Sequence, residues 1–100
     1  MTNAMRGDVD LRIEGAVYRL RVTLGALAEI ESGLGLSSLL DLGARLRAPT
    51  VADLAVILAA LMRGGGHDMA NDALLARQID LPNAASAIAA AFAAAGLGAQ

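Results

Sequence analysis

The chain has 100 residues, enough for one small domain whose modest core makes association with a partner or a second copy a natural route to further burial. Hydrophobic residues make up 56% of it and aromatics only 2%, Tyr18 and Phe92, so the interior must be built from Leu, Ile, Val and Ala. A net charge of −2 argues against nucleic acid as a partner, and the absence of cysteine excludes disulfides and thiolate chemistry.

Residues 1–7 read as a loose arm ahead of a single domain over 8–100, with no basic-then-apolar signal pattern. From Asp8 to Glu14, Val9, Leu11 and Ile13 alternate with charged residues, the mark of a strand with one wet face. Glu14-Gly15-Ala16 supplies a turn, and Tyr18, Leu20, Val22 and Leu24 resume the period of two. A loop at Gly15-Ala16 sets Ile13 opposite Tyr18 and Leu11 opposite Leu20; a loop at Glu14-Gly15 matches the apolar faces equally well. Either register gives an antiparallel hairpin, which needs helices or another subunit to cover it.

At Leu24 the period lengthens to three and four, through Leu27, Ile30 and Leu34. This predicts a helix over 24–32, capped by Thr23 and ended by Gly33 and Gly35. A second helix starts at Ser37 or Ser38, with Asp41 in its first turn and Leu39, Leu42 and Leu46 as its buried stripe. Pro49 stops it, and Thr50 with Asp53 opens a third in a capping arrangement. Leu54, Ile57, Leu58 and Leu61 make that helix central, and Gly64-Gly65-Gly66 ends it. A fourth is expected around 71–79 on Leu74, Leu75 and Ile79. Pro82 stands in the first turn of a fifth, which runs to about Ala95. The fold class is α+β: an N-terminal two-stranded antiparallel hairpin and four to five short helices in one compact unit. The run from Pro82 to Ala95 is too short and small-sided for a membrane span, so neither a membrane nor nucleic acid is expected, and the expected location is cytoplasmic.

Gly64-Gly65-Gly66-His67-Asp68 invites a catalytic or phosphate-binding reading. No Lys-Ser/Thr follows and no strand precedes, so it is not a phosphate loop. The His-Asp pair has no nucleophile beside it, which leaves a flexible turn with Asp68 able to cap the next helix. Glu29 and Glu31 point to different helix faces and read as solvated charges, and the ligand types are too few for a metal. No cofactor is expected.

Protein contact is the remaining chemistry. Arg12, Arg19 and Arg21 form a strip on the outer hairpin face, which Asp8, Asp10 and Glu14 share and can neutralise. Ile88 and Phe92 are the large side chains of the alanine-rich last helix, suited either to cover the core or to meet a partner. These five residues are the candidate contact positions, together with an exposed hairpin edge.

The run RLRVTLGALAEIESGLG from Arg19 to Gly35, with a Gly-His-Asp turn between Leu61 and Asp68, resembles a family of tailed phages and alphaproteobacterial gene transfer agents. It is the small tail assembly chaperone of the gene transfer agent cluster, sometimes labelled a tail tube protein. Gly15, Tyr18, Leu20, Thr23, Leu24, Gly25, Ala26, Leu27, Glu29 and Glu31 stand at the positions of that family's opening motif. The chain departs from the pattern by the insertion of Met62 and by its alanine-rich end. The resemblance implies a non-enzymatic protein that binds the tape measure protein, keeps it soluble and helps the tail tube protein polymerise. The alternative it carries is a structural tube component retained in the particle. A homo-oligomer is compatible with either.

Overall fold

The computed structural model describes residues 8–96, so the arm expected over residues 1–7 lies outside the described residues. Strand β1 (Asp8–Ile13) and strand β2 (Ala16–Arg21) pair antiparallel. Ile13 lies opposite Ala16, Leu11 opposite Tyr18 and Val9 opposite Leu20, so the loop is Glu14-Gly15. Both loop residues have positive φ, 52° and 86°, the type I′ turn that suits the twist of a two-residue hairpin. A glutamate in that conformation is uncommon. Its carboxylate accepts a 3.0 Å hydrogen bond from Gln78 N–H and meets Arg77 at 3.3 Å, which ties the hairpin tip to the loop before the last helix. These bonds hold the Glu14 carboxyl below its ordinary range, the Gln78 N–H being the main cause. Glu14 therefore does not neutralise the arginine strip.

Helix α1 (Leu24–Leu34) starts on Thr23, whose hydroxyl accepts Ala26 N–H at 3.0 Å. Its end lies two residues later than the glycine pattern predicts. Gly35 makes the left-handed stop, at φ 68°, while Gly33 stays helical. A Cβ on Gly33 would lie 2.6 Å from a Val56 methyl, so this glycine lets α1 approach its neighbour closely. Leu24 is 86% exposed, because in the first turn Ala26 rather than Leu24 faces inward.

A 3-10 turn at Leu39–Asp41 leads into α2 (Leu42–Arg47). Ser38 stands before that turn without a side-chain capping bond, and of the predicted stripe Leu42 is buried while Leu39 and Leu46 are half-buried. Helix α3 (Val51–Gly64) opens with a full capping box between Thr50 and Asp53. It is the centre of the fold: Ile57, Leu58, Ala59, Ala60, Leu61 and Met62 are all buried. Helix α4 is shorter than its leucine spacing suggests, Asn71–Leu75, and Ala70 precedes it without a side-chain cap, so Asp68 does not start it. Helix α5 (Leu81–Ala94) is capped by Asp80 through Asn83 N–H, with Pro82 in its first turn.

The inner face of the hairpin, Leu11, Ile13 and Leu20, closes over α3 and α5. Helix α3 packs along β2 and α5 along β1, while α1 lies against α3.

Candidate protein-contact site

The outer face of the hairpin carries Asp8, Asp10 and Arg12 on one strand and Val17, Arg19 and Arg21 on the other. Asp8 is buried and clamped by Arg21, with Nε 2.5 Å from Oδ1 and Nη2 2.9 Å from Oδ2. This pairing raises the Arg21 pKa further above its ordinary value, the hydrogen bond to Asp8 being the larger cause. Arg19 reaches the same carboxylate at 3.9 Å. Cross-strand neutralisation therefore consumes Arg21 and part of Arg19. Among the described residues Arg12 makes no ion pair and stays exposed.

The edge of β2 that does not face β1 is covered. In an antiparallel pair alternate residues turn their N–H and C=O away from the partner strand, and on β2 these include Arg19 and Arg21. The Gly64-Gly65-Gly66-His67 turn lies against them. A Cβ on Gly64 would collide with the Arg21 carbonyl oxygen, and one on Gly65 with that of Arg19. His67 Nε2 accepts the Arg19 N–H at 2.9 Å, and its ring meets Tyr18 edge-on with centroids 5.2 Å apart. The glycines are there for backbone approach. The turn is a tertiary contact rather than a flexible link, and this edge of the hairpin is not open to a partner. Arg63, just before it, bonds Glu29 on α1 and the Met69 carbonyl, so Glu29 is an ion-pair partner rather than a solvated charge.

Apolar hollows lie along α5. Three hollows follow one another down that helix. The first, about 390 Å³, lies between Val51 and Leu54 of α3, Leu74 and Leu75 of α4, and Leu81 and Ala84 of α5. The next, about 90 Å³, is lined by Leu54, Leu46, Pro49, Ala85 and Ile88. The last, about 240 Å³, is formed by Leu39, Leu40, Leu42, Leu46 and Phe92. Leu54 is common to the first two and Leu46 to the last two, so the three stand side by side as a row of hollows, an apolar trough shared out between them. Its α5 lining runs from Leu81 to Phe92, about 18 Å of helix. Val51, Leu75, Leu81 and Leu40 stand exposed along it, and Arg77 is its one charged lining residue.

Ile88 and Phe92 are 2% and 4% exposed. They belong to the core cluster, and each also floors one of the hollows. The strongly exposed lining residues Leu40, at 90%, and Leu75, at 57%, are not among the sequence candidates. Their signal was the doublets Leu39-Leu40 and Leu74-Leu75. Neighbours on a helix face directions about 100° apart, so on a helix buried along one face such a pair divides into an inner and an outer residue.

Among the described residues no group of three or more His, Cys, Asp and Glu could hold a metal ion. None of the described helices is long and apolar enough to cross a membrane.

The fold is an edge-covered hairpin over a helical core with apolar hollows on its surface. The family model described as "Phage tail tube protein, GTA-gp10" matches residues 6–98, and the chain belongs to that family. Comparison with curated proteins and with solved structures finds no match.

Proposed function

We propose that this protein is a non-enzymatic tail assembly chaperone of a gene transfer agent or prophage. It acts in the cytoplasm, binds the tape measure protein and aids polymerisation of the tail tube protein. The observation that carries this reading is the trough along α5. A helical client with aliphatic residues at i, i+3 or i+4, and i+7 has the shape and chemistry to lie in such a groove. Its length corresponds to about three helical turns. His67, the residue that a catalytic reading would need, is engaged as an acceptor for the Arg19 N–H, which supports a role without chemistry. Arg12 on the hairpin offers a second, weaker contact position.

The alternative is a tube component that stays in the particle, and the family's own description as a tail tube protein favours it. Quantitative mass spectrometry separates the two. A chaperone is abundant in producing cells, co-purifies with the tape measure protein and is nearly absent from purified particles. Many copies per finished particle would make the protein a structural subunit.

A further inference from the structure

His67 is the chain's one histidine, and its imidazole closes the outer edge of β2. Because Arg19 N–H donates to Nε2, that nitrogen carries no proton, which fixes the neutral Nδ1–H tautomer. From this geometry we infer that His67 is an acid-released latch on the edge of β2.

Protonation turns Nε2 from acceptor into donor. It then faces the Arg19 N–H donor-to-donor, and the hydrogen bond is lost. The rest of the contact is side-chain-free backbone at Gly64 and Gly65, so the imidazole supplies the turn's directional bond to the strand. Histidine is the side chain whose ordinary charge change falls between about pH 5 and 8. The groups around it are otherwise held. Arg21 and Arg19 face Asp8, with Asp10 opposite Arg19 across the hairpin. Arg63 at the end of α3 pairs with Glu29 of α1. Tyr18 contacts the ring edge-on, and Asp68, next along the loop, is exposed. The latch is closed while the imidazole is neutral, and its contribution is lost as the pH falls and the ring is protonated. Release frees the Arg19 N–H, a group that a strand edge offers to a pairing partner.

The test is amide exchange by NMR on the whole protein at about pH 8 and about pH 5, corrected for the intrinsic pH dependence of exchange. The Arg19 N–H is expected to lose protection by about tenfold at the lower pH, the scale of one net hydrogen bond. The Leu61 N–H in the middle of α3 keeps its protection and reports an intact core. His67→Gln places a carbonyl acceptor near the position of Nε2 and is expected to remove the pH dependence at Arg19. Ring nitrogen shifts at the higher pH are expected to show the Nδ1–H tautomer. Equal Arg19 protection at both pH values, the same fall in His67→Gln, an Nε2–H tautomer, or a parallel loss at Leu61 would each overturn the latch.

Discussion

Arg45 holds Asp53 with two nitrogens, Nη2 at 2.8 Å from Oδ1 and Nε at 3.3 Å from Oδ2, and gives its remaining one to the Leu34 carbonyl at 3.0 Å. Asp53 Oδ2 also accepts the Thr50 N–H at 3.0 Å. One carboxylate thus begins α3, while its arginine on α2 satisfies the last carbonyl of α1. Three helices meet at a single ion pair. Asp53 is buried, and the Arg45 hydrogen bonds, with Thr50 N–H second, hold its pKa below the ordinary aspartate value.

Asp53→Ala removes half of the capping box and the partner of Arg45 together. The expected loss is about 1–2 kcal/mol, seen as a lower Tm. The pH dependence has a definite sign. A depressed folded-state pKa gives stability that is full above the ordinary aspartate range and is lost as the pH falls through it and below. Thermal melts across that range should show a smaller acid-induced drop in Asp53→Asn than in the parent protein.

Gly65→Ala forces a methyl group onto the Arg19 carbonyl, with no flexible side chain to give way. A cost of about 1–3 kcal/mol is expected, as for other overpacked positions. Gly43 in α2 has open space and no positive φ. Gly43→Ala should therefore stabilise by about 0.5–1 kcal/mol through helix propensity. Denaturant unfolding of the two variants side by side checks both signs.

Arg21 and Arg12 should separate in the same kind of experiment. Arg21→Ala removes the two hydrogen bonds that its guanidinium gives the buried Asp8 and should lower Tm. Arg12→Ala alters an exposed side chain that makes no ion pair among the described residues, and is expected within about 0.5 kcal/mol of the parent. Arg12→Glu is consequently the clean probe of the hairpin face as a binding surface, whereas a charge reversal at Arg21 mixes folding with binding.

Leu75→Ser and Leu40→Ser replace exposed trough residues and should leave Tm almost unchanged. On the proposed function they reduce co-purification of the tape measure protein several-fold. Leu61→Ala, at the centre of α3, should instead cost about 2–5 kcal/mol and lower soluble yield. Undiminished capture of the tape measure protein by a folded Leu40→Ser, Leu75→Ser double variant would remove the trough from the contact.

Much of this was legible in local pattern. Alternation at Val9, Leu11 and Ile13 marked the strand, and Thr50 with Asp53 marked the start of α3. What escaped was long-range. Nothing near Gly64 and Gly65 in the chain announces that their missing side chains make room for the carbonyls of Arg19 and Arg21. Glu14 reads as a hairpin charge until Arg77 and Gln78 are brought to it. Leucine spacing continued the fourth helix to Ile79, but the chain must leave α4 to reach the Asp80 cap of α5. The trough was half visible: Ile88 and Phe92 stood out by size, while its exposed residues hid inside leucine doublets.

The position of Ile88 and Phe92 has a thermodynamic consequence. The same two residues belong to the core and line the groove. Apolar groups pressed into the groove would extend the core cluster itself. Occupancy and folding stability would then be linked: saturation at a hundred times Kd would add about 2.7 kcal/mol to the unfolding free energy. A melting curve taken with and without the client would read the binding constant directly from the protein's own resistance to heat.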